Sequence, residues 1–322
     1  MTDHALHFTT ELKGLEPDEW LAALEVLVEE HGSFTPLGRD HVATFLDAGP
    51  KLLVTFENAV EVRGLPDAAP RGFAFARREG WSHLAIIGRA ESWFRDPAIY
   101  RHFDRLIDDG FFEDFESVLF YGTGAGGYGA AAYSVAAPGA RVLALRPQAT
   151  LDPSVTGWDT RYMNQRRLNF TDRYAYAPDM IDAASQVWIV YSPQQRLDAM
   201  HASLFTRSNV QMLRISGIGG RLNITFDSLG ALDPLLRHAM AGDLTPQRFI
   251  NALSARKTFG AYLKGLVRRA RDRGHDALAA LACRAVLKRG RDTYFETQLR
   301  ELGYAVPQSD AADDDMQDAA RA

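Results

Sequence analysis

Apolar residues recur along this chain with two different spacings, and the change from one to the other marks its organisation. Between residues 17 and 31, Leu21, Leu24, Val26 and Leu27 fall near one face of a 3.6-residue period. That spacing, with Pro17 in the first turn, predicts an amphipathic helix. Segments 41–46 and 51–56 read as two strands, and Asp47-Ala-Gly-Pro50 between them is turn chemistry, so a hairpin is expected there. Residues 58–72, with Gly64, Pro66, Pro70 and Gly72, read as a loop before a short strand at 83–87. A helix is expected over 97–109, with Pro97 in its first turn and Gly110 as its stop.

The middle of the chain carries the strongest pattern. Residues 115–121 form a buried-looking strand that enters Gly122-Thr-Gly-Ala-Gly-Gly127. A run of small residues from Tyr128 to Val135 predicts a tightly packed helix, ended by Pro138-Gly139, and 141–145 is the next strand. Strand, turn, helix and strand in this order make a crossover, the mark of a parallel sheet. Further strands are expected at 186–191, leading into a helix near 195–205, and at 209–215, leading into Ser216-Gly-Ile-Gly-Gly220. The segment 149–180 between them is irregular and rich in Trp, Tyr and Arg. From Asp233 to Gly303 only helical spacing appears, broken near Gly242, Gly260, Gly274 and Gly290. The expected organisation is an α/β domain over 1–232, a helical appendage over 233–303 and a disordered acidic tail over 304–322.

A strand entering a glycine turn that opens a helix has two common meanings: a phosphate loop, or an elbow that lifts one side chain above the sheet. A Walker loop needs a lysine that is absent here. Gly122, Gly124 and Gly127 have dinucleotide spacing, but Arg146 rather than an acidic residue follows the next strand. The elbow fits better. Tyr121-Gly-Thr-Gly-Ala-Gly-Gly-Tyr-Gly-Ala-Ala131 resembles Tyr-Gly-Ser-Ser-Met-Gly-Gly-Tyr-Ala-Ala, a motif of α/β-hydrolase-like proteins associated with bacterial surface-polysaccharide genes. Val142-Leu-Ala-Leu-Arg-Pro-Gln148, Leu151-Asp-Pro153, Trp158-Asp-Thr-Arg161 and Leu197-Asp-Ala-Met-His-Ala202 resemble further segments of that group, in order, over residues 40–235. The resemblance implies an α/β-hydrolase-like, mostly parallel sheet flanked by helices, and a role in polysaccharide metabolism.

The departures from that pattern bear on activity. The nucleophile position falls on Gly124, and Thr123 stands one step off it. Asp198 occupies a place suited to a triad acid. The triad histidine is expected near 216–224, yet no histidine occurs between His201 and His238. Serine hydrolysis needs an activated hydroxyl, so no ordinary esterase or peptidase activity is expected. The backbone N–H groups of Ala125 and Gly126 remain at a helix start, an anion-friendly place. Arg146, Arg161, Arg166, Arg167 and Arg173, interleaved with Trp158, Tyr162 and Phe170, suit an anionic sugar or a nucleotide-like molecule. The expected ligand-binding set is Thr123, Gly124, Ala125, Gly126, Arg146, Gln148, Arg161 and His201. The alternative is an enzyme of other chemistry on this scaffold, acting on sulfate or phosphate groups. Proteins resembling this group are sometimes named phosphoadenosine phosphosulfate reductases, but the Ser-Gly-Gly-Lys-Asp-Ser and Glu-Cys-Gly-x-His motifs of such reductases are absent here.

Composition narrows the picture further. A 46% hydrophobic content supports a normal core, and a net charge of −5 gives no global nucleic-acid or membrane footprint. Cys283 is the single cysteine, so no internal disulfide or cysteine-based zinc site can form, and its apolar neighbours suggest a packed helix position. No metal or cofactor is expected. The first residues carry no basic start or apolar run, and no run of about 18 apolar residues occurs, so a cytoplasmic protein without a membrane span is expected. The appendage is locally basic, with Lys264, Arg268, Arg269, Arg271 and Arg273 in close succession. It is the candidate surface for a protein partner; nucleic acid is not expected.

Overall fold

A computed structural model describes residues 11–90, 92–217 and 222–307. Its centre is one sheet of eight strands: β1 (Gly32–Leu37), β2 (His41–Leu46), β3 (Lys51–Asn58), β4 (Ser82–Gly88), β5 (Ser117–Thr123), β6 (Arg141–Leu145), β7 (Gln186–Tyr191) and β8 (Val210–Arg214). The spatial order is β1-β2-β4-β3-β5-β6-β7-β8. β2 runs antiparallel to both neighbours and every other pairing is parallel. This order and orientation make an α/β-hydrolase-like sheet, the fold class expected from the sequence.

The connections run through α1 (Pro17–Glu29), α2 (Ala59–Arg63), α3 (Gly72–Glu79), α4 (Pro97–Asp108), α5 (Ala125–Tyr133), the single turns α6 (Pro153–Thr156) and α7 (Ala177–Met180), α8 (Arg196–Ala202), α9 (Leu222–Ser228), α10 (Leu232–Ala241) and α11 (Pro246–Ala252). Two apolar layers sandwich the sheet. One packs Trp20, Leu24 and Leu27 of α1 and Phe73 of α3 against Ala85 and Ile87 of β4. The other packs α4 and α5 against β3 and β5, with Phe56, Phe94, Phe103 and Tyr133 in contact. Each such buried Leu or Phe contributes about 1.5–3 kcal/mol.

The expected hairpin does not form. β4 lies between β2 and β3, so Asp47-Ala-Gly-Pro50 is a crossover and not a tight turn. All seven residues of β4 are buried, the mark of an interior strand covered on both faces. Ser82 at its start ties down the crossover: its Oγ accepts from the N–H groups of Ala48 and Gly49, both at 3.0 Å. β1 carries Gly32 and Pro36 and sits at the sheet edge, where a proline leaves no ladder bond unmade.

Contacts divide the chain into two compact units. The first runs through Asp227 and includes Leu232–Phe249. The helical pattern that begins near 233 therefore starts inside the sheet-bearing unit. α10 buries Leu235 and Leu236, packs on β5 and β6, and receives Arg141 Nη1 on Met240 O at 2.8 Å. The second unit holds Ser228–Ala231 and the chain from Ile250 onward. In it α12 (Gly260–Asp272), α13 (Asp276–Leu287) and α14 (Thr293–Glu301) enclose Val267, Ala279, Ala280, Cys283, Phe295 and Leu299. Cys283 is fully buried, as its neighbours suggested, and burial raises its thiol pKa. Tyr304 and Val306 pack against this core, and residues 308–322 of the expected tail lie outside the described residues. Among the described residues no helix is long and apolar enough to cross a membrane.

Candidate functional site

The glycine turn between β5 and α5 folds as an elbow, and each glycine has its own reason to be there. Gly124 adopts φ +57° and ψ −121°, a backbone state that side-chain-bearing residues enter only under strain. A Cβ on Gly122 would lie 2.1 Å from Gly126 O, and one on Gly126 would lie 2.2 Å from Phe56 O. The close approach of β5, α5 and β3 thus excludes side chains at both positions. At Gly124 the case differs: a Cβ there meets only Arg146 Nη2, at 3.7 Å. The nucleophile position has room for a side chain, and an arginine stands beside it.

Arg146 is paired there with Asp198. It follows β6 with φ +50°, a conformation that costs a non-glycine residue of order 1–3 kcal/mol. Its Nη1 lies 4.0 Å from Asp198 Oδ2. Asp198 Oδ1 also accepts from Arg161 Nη1 at 2.5 Å. Arg161 turns its Nε and Nη2 onto Asp159 at 2.7–3.1 Å. His201 closes the cluster. The Ala149 N–H donates to its Nδ1 at 3.1 Å, so Nε2 carries the ring proton and donates to Asp159 Oδ2 at 2.9 Å. Burial lowers the pKa of His201, with Asp159 opposing, which agrees with a neutral ring. Burial alone would raise Asp159, but hydrogen bonds from Arg161 and His201 outweigh it and hold the carboxyl at about 2. Asp198 and His201 are thus both bonded into an arginine brace.

A cavity of about 480 Å³ opens over the elbow at the carboxyl end of β3 and β5. Ligands of open α/β sheets bind at that edge. The elbow residues 122–126 and Arg146 form one wall. Phe56, Trp93, Phe94 and Tyr162 form an aromatic wall. Trp93 and Phe94 both have φ +54°, so this wall also carries backbone strain. Polar lining also comes from Glu57, Asn58, Glu61, Arg71, Arg89, Ser92, Tyr121 and Asn223. As the first residues of α5, Ala125 and Gly126 present N–H groups that lack an intrahelical acceptor.

Of the residues expected to bind a ligand, Thr123, Gly124, Ala125, Gly126 and Arg146 line this cavity. The Thr123 hydroxyl is buried without a partner. Gln148, Arg161 and His201 are not on its wall, nor is Asp198. Gln148 is 1% exposed with an unpaired Oε1. The wider arginine group does not converge: Arg173 pairs with Asp104 on the surface, and Arg166 braces the carbonyls of Thr156 and Asp159. Tyr162 reaches the cavity, whereas Trp158 packs on His201 and Phe170 enters the core. Residues 218–221, part of the stretch where a triad histidine is expected, lie outside the described residues. Glu57, Tyr121, Trp93 and Asn223 line the cavity without belonging to the expected binding set. The signal for Glu57 was an acidic residue ending an apolar strand at the ligand-binding edge of a parallel sheet. Among the described residues no group of three or more His, Cys, Asp or Glu side chains is placed to hold a metal.

No known protein family and no curated protein matches the sequence. Several solved structures are similar in fold. The Glycosylation Associate Protein (Gap123) complex from Streptococcus agalactiae matches with TM-score 0.41 and 13% identity, over 62% of this chain and 44% of that one, less than half its length. The capsule O-acetyltransferase of Neisseria meningitidis serogroup A matches with TM-score 0.39 and 14% identity, over 58% of this chain and 86% of that one. Est1E from Butyrivibrio proteoclasticus matches with TM-score 0.40 and 12% identity, over 62% of this chain and 95% of that one.

Proposed function

We propose that this protein is a non-hydrolytic member of the α/β-hydrolase fold whose cavity binds an anionic small molecule. The observation that carries the reading is Arg146: its guanidinium lies 3.7 Å from where a Gly124 side chain would begin, beside the free N–H groups of α5. A positive fork and a helix start favour a phosphate, sulfate or carboxylate. The same place offers no hydroxyl on residue 124 for acyl transfer. A setting in surface-polysaccharide metabolism is supported by the resemblance of the elbow sequence alone.

Two measurements test this on the full chain. A fluorophosphonate probe and short nitrophenyl esters are expected to leave the wild-type protein unlabelled and the esters intact. Calorimetry with inorganic phosphate is expected to show binding that Arg146→Gln weakens about 10- to 100-fold, the worth of a charge-assisted hydrogen bond of about 1.5–3 kcal/mol. Labelled wild-type protein would defeat the non-hydrolytic reading, and phosphate binding indifferent to Arg146→Gln would defeat the anion site.

A second reading concerns the helical unit. Residues 250–307 carry twelve Arg and Lys against five Asp and Glu, a net charge of +7. The Arg256 and Arg269 guanidinium groups both lie 5.9 Å from the Tyr262 ring, and Arg289 Nη1 donates to Lys257 O at 2.8 Å. Two guanidinium groups over one aromatic ring, in a unit of net charge +7, support docking of a protein partner with an acidic surface.

A further inference from the structure

The cavity has a second polar end that anion binding at Arg146 leaves unused. Tyr121 is 2% exposed, lines the cavity, and its hydroxyl has no hydrogen-bond partner among the described residues. A buried polar group without a partner is costly, and such groups are rare enough to need a cause. The Trp93 indole N–H, on a residue 1% exposed in the aromatic wall, is likewise unpaired.

Glu57 stands beside Tyr121. Thr55 is the direct cross-strand partner of Tyr121, and Glu57 follows Thr55 by two residues, so all three emerge on one face of the sheet. The hydrogen-bond directions around Glu57 are fixed. Thr55 Oγ1 donates its one proton to Glu57 Oε1 at 2.6 Å. The contact of Thr55 Oγ1 with His83 Nε2, at 2.8 Å, must then be a bond accepted from that ring N–H. The Arg71 N–H adds a donor to the carboxyl at 3.2 and 3.3 Å. The Arg71 guanidinium itself goes to Asp227, at 2.9 and 3.0 Å, and Glu57 has no ion pair among the described residues. A carboxyl in this state keeps capacity for a further hydrogen bond, and it lines the cavity together with Tyr121 and Asn223.

We propose that Tyr121, Glu57 and Asn223 form a hydroxyl-binding subsite, and that the ligand is a monosaccharide carrying one phosphate or carboxylate group. This rests on the anion reading above. The acidic group sits at Arg146 and the start of α5, and the ring hydroxyls reach the Tyr121 and Glu57 end. The sugar's C–H faces meet the aromatic wall. Both ends belong to a single cavity whose volume suits a small ligand. Burial raises the Glu57 pKa, with Arg71 and Thr55 opposing.

Calorimetry on the full chain tests the subsite. The probes are glucose 1-phosphate, galactose 1-phosphate and inorganic phosphate, with glucuronate, galacturonate and acetate as the carboxylate arm. The proteins are wild type, Tyr121→Phe and Arg146→Gln. At least one sugar is expected to bind ten-fold or more tightly than its bare anion, and the two arms distinguish phosphate from carboxylate. Tyr121→Phe is expected to remove five-fold or more of that gain while leaving binding of the bare anion unchanged. It should melt at or above the wild-type temperature, because it removes an unpartnered hydroxyl. Sugars that bind no better than their bare anions, or a gain that survives in Tyr121→Phe, overturn the subsite and leave the anion site standing. Bare anions that fail to bind, or bind Arg146→Gln equally well, bring down both.

Discussion

Glu57 and Asp159 are both buried carboxyls, yet their surroundings push them in opposite directions. Asp159 receives Arg161 and His201 and is held at about 2, whereas Glu57 is raised first by burial, against the pull of Arg71 and Thr55. The raised group makes a prediction of definite sign. A carboxyl with a higher pKa in the folded state contributes its full stability below its unfolded value, here near 4.5, and loses it as pH rises through the folded value. The loss runs at about 1.4 kcal/mol per pH unit within that window. Glu57→Gln keeps the shape and cannot ionise. In urea unfolding, the stability difference between variant and wild type is expected to shift in favour of the variant from pH 4.5 to pH 7.5. The buried histidines, with lowered pKa values, act with the opposite sign; His41, His102 and His201 lie outside the Glu57 network and cancel in the difference, whereas His83 is coupled to it through Thr55. A difference that stays constant with pH would mean that the folded protein holds Glu57 ionised as readily as the unfolded chain does.

The elbow shows how much of an element the sequence makes legible. β5, the glycine turn, α5 and β6 are all legible, because a buried strand, a glycine cluster and a small-residue helix each leave a local signature. What stayed hidden was pairing. Residues 41–46 and 51–56 were recognised as strands, but nothing in their spacing tells that β4, thirty residues on, comes between them. The same blindness hid the Glu57 and Tyr121 end of the site, which exists only through the register of β3 on β5. α3 was missed because it opens with Gly72, which reads as a turn; a Cβ there would lie 2.1 Å from the His83 ring. The packing role assigned to the glycines can be measured. Gly126→Ala forces a methyl to within 2.2 Å of Phe56 O and is expected to destabilise by about 1–3 kcal/mol or more. Gly260→Ala, at the start of α12 with nothing within 4 Å, is expected to be neutral or to stabilise by up to about 1 kcal/mol. Equal effects in thermal or urea unfolding would remove the argument that close packing, rather than flexibility, selects glycine in the turn.

Charge is distributed unevenly over the molecule. Residues 250–307 carry +7, while residues 1–249 carry −8, so the modest total of −5 conceals a strongly basic helical unit on an acidic chain. Two arginines of that unit are neutralised locally, Arg271 by Glu301 and Arg300 by Glu296. Arg256, Arg269 and Arg289 instead gather at Tyr262 and the Lys257 carbonyl, with no ion pair to a described carboxylate. Uncompensated like charge held this close is a standing repulsion, which an acidic partner surface relieves. Exposed charges interact over about 10 Å at 0.1 M salt and over about 3 Å at 1 M, so such a complex is sensitive to ionic strength. The Arg256→Glu, Arg269→Glu, Arg289→Glu triple variant of the full chain is expected to lose a partner that co-purifies with the wild type from its native cell. The same complex is expected to dissociate as salt rises towards 1 M and to resist nuclease treatment. Far-ultraviolet circular dichroism and the melting temperature separate loss of the partner surface from loss of the Arg289 bond to Lys257 O and of the contacts with Tyr262, which the same substitutions remove. A complex that survives both the charge reversal and the salt places the partner elsewhere on the chain, and one destroyed by nuclease means that the basic face is meeting nucleic acid and not protein.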